Sequence, residues 1–144
     1  MVDTTRRWLI TRALALAGAS LAGPRVSRGQ SPDKAFMDHA QALKRRAVEA
    51  GDQAYGAVIV KDGRVVGEGP SRVVVNRDPT AHAEMEAIRD AARRLGTRDL
   101  SGSVIYATSK PCRMCEAASY WASLSRIYVG DAVTDAGPPR YSSC

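Results

Sequence analysis

Apolar positions recur from Ser31-Pro32 to about Ala50, where Ala35, Phe36, Ala40, Leu43, Ala47 and Val48 stand near helical spacing and Gly51 closes the run. A first helix is predicted there, and His39 within it reads as an ordinary helix residue. The period then changes. Tyr55 to Val60 and Arg64 to Val66 are apolar, β-branched runs joined through Lys61-Asp62-Gly63, which signals a hairpin. Ser71 to Pro79 is predicted as a loop lining a pocket, with Val73-Val74-Val75 offering an extension of the preceding strand. Helical spacing returns from Ala81 to Leu95, with Thr80 as a candidate N-cap after the Asp78-Pro79 turn and Gly96 as the stop. Val104 to Ala107 reads as a third strand, Pro111 to about Leu124 as a helix, and Arg126 to Val129 as a fourth strand. Gly137-Pro138-Pro139 makes the tail irregular. Strands alternating with helices predict a layered α/β domain with a partly parallel sheet, its site at strand ends and helix starts.

Length and composition fit one core: 144 residues are 44% hydrophobic. A formal net charge of +6 hints at nucleic acid, but its distribution removes the hint. Arg6, Arg7, Arg12, Arg25 and Arg28 against Asp3 give the first thirty residues +4, and the remainder carries sixteen basic against fourteen acidic residues, only +2. A balance so near neutral attracts phosphate backbones weakly, so a small-molecule partner is expected and nucleic acid is not. Thr5-Arg6-Arg7-Trp8-Leu9-Ile10 precedes an Ala- and Leu-rich stretch to about Gly23. That segment resembles a twin-arginine export signal, which predicts an exported or periplasmic protein. The apolar run, interrupted by Arg12, is too short to span a membrane, so no stable anchoring is expected. The alternatives are an unstructured leader on a cytoplasmic protein, or a true start at Met37. The expected division is therefore 1–30 as leader and 31–144 as one domain.

The chemistry is concentrated in His82-Ala83-Glu84 and Pro111-Cys112-Arg113-Met114-Cys115. Imidazole and thiolates bind zinc readily, and three protein ligands leave a fourth position for water, whose pKa the metal lowers toward neutrality. His82, Cys112 and Cys115 are the candidate ligands. Glu84 is the candidate proton carrier, a role that hydrolytic deamination of an amidine-like ring requires. Cys112 and Cys115, three apart after Pro111, are predicted to share a helical face, whose positive end favours thiolates. His82 and Glu84, two apart, converge only at a helix terminus. Glu86, four residues after His82, is the internal rival to Glu84. Cys-x-x-Cys alone is as readily a redox pair or half of a structural zinc site, the two taken together, as part of a catalytic one. With three cysteines no disulfide framework is implied, although Cys144 as a fourth ligand would close the site and make it structural.

The run Asp78-Pro79-Thr80-Ala81-His82-Ala83-Glu84-Met85, with Ile88-Arg89, the Pro-Cys-x-x-Cys box, Tyr120-Trp121-Ala122 and Arg126-Ile127-Tyr128, resembles the cytidine and deoxycytidylate deaminase superfamily over roughly residues 34 to 137. Within it, the branch of bacterial guanine deaminases and tRNA adenosine deaminases is the most similar. The resemblance implies a three-layer α/β/α fold with a mixed sheet of four to five strands, and one Zn2+ per subunit held by His82, Cys112 and Cys115. It also implies proton transfer by Glu84, with Ala57 bordering the base. Tyr-Trp-Ala and Thr134-Asp135-Ala136 resemble the guanine deaminase side, so Asp135 is expected to contact a purine's amidine edge, and Trp121 is a further pocket candidate.

Three departures stand out. Ser71 occupies the position, eleven before the zinc His, where family members usually carry a substrate-binding Asn. Lys110 replaces a common Glu before the box, which exchanges a negative for a positive charge near the metal; it reads first as a solvated lysine, with further acidification of bound water or preference for an anionic substrate as the alternatives. The sequence ends at Cys144 without the C-terminal segment that closes the pocket in many guanine deaminases, so a more open pocket or one covered by a neighbouring subunit is expected; the residues after Gly130 also leave little room for a fifth strand and further helices, so an exposed last strand and a homodimer are expected. The resulting expectation is a zinc-dependent nucleobase or nucleoside deaminase favouring a guanine-like purine. The alternatives are a tRNA adenosine deaminase-like enzyme and a non-catalytic structural zinc module.

Overall fold

The computed structural model describes residues 32–141, so the predicted leader and Cys144 lie outside the described residues. Eight elements follow in the order α1 (Pro32–Glu49), β1 (Gly56–Lys61), β2 (Arg64–Pro70), α2 (Ala83–Leu95), β3 (Ser103–Ala107), α3 (Arg113–Trp121), β4 (Arg126–Val129) and β5 (Thr134–Gly137). They build one mixed sheet in the order β2-β1-β3-β4-β5. Only β3 and β4 run parallel, joined by the crossover through α3; the other neighbours are antiparallel.

Alternation along the central strands makes the layers. Val58 and Val60 of β1, with Tyr106 of β3, face Met37, Ala40 and Leu43 of α1. Ala57 and Ile59, with Ile105 and Ala107, face Ala83, Ala87 and Ala91 of α2 on the opposite side. A strand buried on both faces reads as a continuous apolar run, which is the pattern of Gly56–Lys61. The result is the expected α/β/α sandwich, with five strands.

The Asp-Gly signal gives the predicted turn: Asp62 and Gly63 both have positive φ, 50° and 70°, as a two-residue hairpin turn requires. β2 runs four residues further than its apolar pattern predicts, through Gly67-Glu68-Gly69-Pro70. Those glycines are there for α2. A Cβ on Gly69 would meet the Ala83 carbonyl oxygen at 2.0 Å, and one on Gly67 the Ala87 carbonyl oxygen at 2.4 Å. Helix and strand therefore touch at backbone distance, with only alanines between them.

Four sequence expectations are corrected. Val73–Val75 extends no strand; it is a turn whose Val74 and Val75 amides are bonded to the Asp52 carboxylate at 2.9 Å. On α1, Ala40, Leu43 and Ala47 are buried as read, but Met37 joins them fully buried while Ala35 and Val48 are exposed. α3 closes at Trp121 with Ala122 as C-cap, short of Leu124. The chain after Gly130 does find room for a fifth strand, because four residues suffice to pair Thr134–Gly137 antiparallel with β4.

Candidate metal centre and cavity

α2 begins two residues later than its periodicity predicts. Thr80 is not its N-cap, because its hydroxyl donates to Asp78 Oδ1 at 2.7 Å and accepts from Arg89 Nη2 at 3.1 Å. The N-cap is His82, with φ −63° and ψ 154°. Extended backbone at His82 followed by helix at Ala83 solves the spacing problem: the imidazole and the Glu84 carboxylate, two residues apart, do not have to share a helical face. α3 begins in the same way. Cys112, at φ −72° and ψ 170°, is its N-cap, and Cys115 lies in the first turn. The two sulfurs thus converge from a cap and a helical position. Neither N-cap side chain makes a capping hydrogen bond.

These two helix starts bring three donor atoms together. Cys112 Sγ lies 3.8 Å and Cys115 Sγ 3.7 Å from His82 Nδ1, and the sulfurs are 3.7 Å apart. Around tetrahedral zinc, with Zn–S of about 2.3 Å and Zn–N of about 2.0 Å, neighbouring donors stand roughly 3.5–3.8 Å apart. The triangle fits that ion. Among the described residues the donor cluster has these three members. Burial, the Glu84 carboxylate and Cys112 push the Cys115 thiol far above its ordinary range. A cation among the donors reverses that preference, since a metal deprotonates the thiols it binds.

Glu84 is buried, at 7% exposure, and with His82 and Cys112 it lines a cavity of about 770 Å³. Glu86 is engaged elsewhere, accepting from Arg89 Nη1 at 2.7 Å. The rest of the wall comes from Lys44, Gln53, Ala54, Tyr55, Ser109 and Lys110. Antiparallel pairing explains this set. Gly56 and Thr108 exchange bonds of 3.0 and 3.1 Å, so the residues just before β1 stand beside those just after β3. A Cβ on Gly56 would meet the Lys44 amide nitrogen at 2.5 Å, so its absence lets α1 carry Lys44 to the same place.

The other predicted substrate residues lie apart from this wall. Ala57 is fully buried beneath it, registered with Gly69 and Ala107. Ser71 is 2% exposed, and its hydroxyl donates to Asp52. Trp121 is 63% exposed and lines a separate hollow with Arg98, Tyr120 and Pro138. Asp135 is exposed on β5, where it pairs with Arg126 and accepts from the Gly137 amide at 2.8 Å. Lys44, Gln53, Ala54 and Tyr55 were not legible as site residues. Their placement follows from the β1–β3 pairing and, for Lys44, from the close approach of α1 to Gly56, neither of which leaves a mark in local periodicity.

Residues 30–131 match the family model for the cytidine and deoxycytidylate deaminase zinc-binding region. The chain is 42% identical over 102 residues to a guanine deaminase of Bacillus subtilis, covering 70% of this chain and 65% of that protein. It is 46% identical over 92 residues to a tRNA-specific adenosine deaminase of Aquifex aeolicus, covering 64% and 59% respectively. It therefore spans less than two thirds of either relative's length. The X-ray structure of guanine deaminase from Bacillus subtilis superposes with a TM-score of 0.65 at 40% identity, over 69% of this chain and 66% of that one.

Proposed function

The chain belongs to the cytidine and deoxycytidylate deaminase zinc-binding family, and from that membership we propose that it hydrolytically deaminates a nucleobase or nucleoside, with a guanine-like purine as substrate. The observation that carries the reading is the His82–Cys112–Cys115 triangle beside a buried carboxylate on one cavity wall.

His82, Cys112 and Cys115 would hold the zinc, which when bound would lower the pKa of a water toward neutrality. Glu84 takes a proton from the attacking water and delivers it to the ring nitrogen next to the carbon that carries the exocyclic amine. That carbon gains the oxygen. Glu84 then takes the second proton from that oxygen and passes it to the amine, the C–N bond breaks as the carbon–oxygen double bond forms, and ammonia leaves. The burial of Glu84 keeps bulk water from competing for the protons it moves. The two helix N-termini direct positive dipole ends at the thiolates.

The guanine-like choice is supported by the Bacillus subtilis relative and by the near-neutral charge of residues 31–144. A second reading, tRNA adenosine deamination, is supported by the Aquifex aeolicus relative. Ammonia release from a panel of amine-bearing purines and pyrimidines, run beside an anticodon stem-loop RNA, separates the two. The reading extends to a homodimer that covers the exposed β5 edge, tested by light scattering at micromolar concentration, where a monodisperse monomer overturns it. It extends also to export by the twin-arginine route, tested by fractionation of cells expressing the full chain. Recovery in the cytoplasm alone overturns that part.

A further inference from the structure

The wall of the deaminase cavity is unevenly charged. Glu84 is its one carboxylate among the described residues, whereas Lys44 and Lys110 both line it. Neither lysine has a hydrogen-bonding or ion-pairing partner among the described residues, although most acidic groups of the domain are engaged. Glu86 is paired with Arg89, Asp90 with Arg93 and Arg94, Glu68 with His39 and Arg94, and Asp135 with Arg126. Tyr55 and Ser109 add hydroxyl groups to the same wall. Both lysines are held there by structure. Lys44 rides on the turn of α1 that presses on Gly56, and Lys110 lies between β3 and the metal-binding start of α3.

We infer that Lys44 and Lys110, with Tyr55 and Ser109, form an anion subsite for a phosphate monoester on the substrate, so that the ring is presented as a purine nucleoside monophosphate. The inference rests on the deaminase reading given above. Two ammonium groups and two hydroxyls supply the donors that a phosphate's oxygens accept, and charge-assisted bonds of this kind are roughly twice as strong as neutral ones. The size agrees. About 770 Å³ lies in the upper part of the roughly 300–1,000 Å³ range of sites for drug-sized ligands, which leaves space beside a bare base. A free nucleobase gives the lysines nothing to neutralise. An RNA strand would bring many phosphates, and residues 31–144 carry only +2 to meet them.

The test has two arms on the zinc-loaded full chain. The first compares kcat/KM for ammonia release from guanine, guanosine and guanosine monophosphate, with the adenine series and an anticodon stem-loop RNA alongside. The monophosphate is expected to exceed its nucleoside by at least about tenfold, a difference of about 1.4 kcal/mol. That ratio should fall to about one in the Lys44→Ala, Lys110→Ala double variant. The second arm measures calorimetric binding of inosine monophosphate against inosine, which needs no turnover. If bases are deaminated with no preference for the monophosphate in either arm, the subsite is wrong and the deaminase reading stands. If the lysines govern monophosphate binding but no ring releases ammonia, the deaminase reading is wrong and the anion site stands. Turnover of the RNA alone overturns the inference in favour of a polynucleotide substrate. Because the double variant's ratio is taken within one protein preparation, partial misfolding does not imitate the result.

Discussion

Ser71 donates its hydroxyl hydrogen to Asp52 Oδ1 across 2.8 Å, and both side chains are inside the fold at 2% and 9% exposure. Asp52 also accepts from the amides of Gln53, Val74 and Val75. One carboxylate thus ties the segment that walls the cavity to the loop that follows β2. The position where the family resemblance leads one to expect a substrate amide is turned inward, as part of the scaffold.

Ser71→Ala is therefore expected to lower stability by roughly 1.5–3 kcal/mol, the usual cost of losing a buried hydrogen bond to a charged group, while KM stays within about threefold. Urea unfolding and steady-state kinetics check the two parts. A KM rise well beyond that, at unchanged stability, would show that Ser71 touches substrate after all.

The same carboxylate sets an acid limit. Burial alone would raise its pKa, but the bonds from Val75, Ser71, Gln53 and Val74 outweigh burial and hold it below the ordinary aspartate value. A group whose folded pKa is lowered contributes stability above its unfolded pKa of about 3.9, and that contribution is lost as pH falls through the folded value. Wild-type protein should thus lose more stability between pH 6 and pH 3 than Asp52→Asn. Parallel acid titrations of chemical denaturation midpoints measure the difference.

Glu84→Ala should retain zinc at one per chain by metal analysis while losing about 10²–10⁴-fold in kcat. Zinc lost together with activity would assign Glu84 to the metal shell instead of the proton path.

Chelation is expected to lower the thermal midpoint, and zinc at about a hundred times its Kd should restore about 2.7 kcal/mol. Cys115→Ser and His82→Ala should each abolish that zinc-dependent increment. Differential scanning calorimetry with and without metal reads it directly.

Gly69→Ala places a methyl 2.0 Å from the Ala83 carbonyl oxygen and 2.4 Å from the Ala87 amide. Backbone cannot yield as a side-chain end does, so a loss of about 3 kcal/mol and a drop in zinc affinity are expected together. A stable Gly69→Ala variant with unchanged zinc affinity would show that α2 can shift without moving His82.

The sequence made the chemistry far more legible than the pocket. His82, Glu84, Cys112 and Cys115 carry their meaning in residue type and spacing, and both helices and the Asp-Gly hairpin announce themselves by period and turn residues. Thr80 misled because a good capping residue also serves as the end of an Asx turn, and its bond to Asp78 removes it from α2. Lys44 and Tyr55 were hidden for another reason. Tyr55 stands beside Lys110 through the pairing of Gly56–Lys61 with Ser103–Ala107, and Lys44 reaches the same wall through the close approach of α1 to Gly56; neither contact can be read from one segment alone.

The two N-caps have a further effect. His82 and Cys112 occupy positions where a serine or aspartate would ordinarily bind the exposed amides of the first turn, and neither does so. Each helix forgoes a local stop worth about 1 kcal/mol. Their side chains are directed at each other across 3.8 Å. A single ion then acts as a common clasp for two helix starts that are distant in sequence. Loading the metal and fastening α2 to α3 are one event, and the fidelity of the reaction geometry is inherited from how the domain is pinned together.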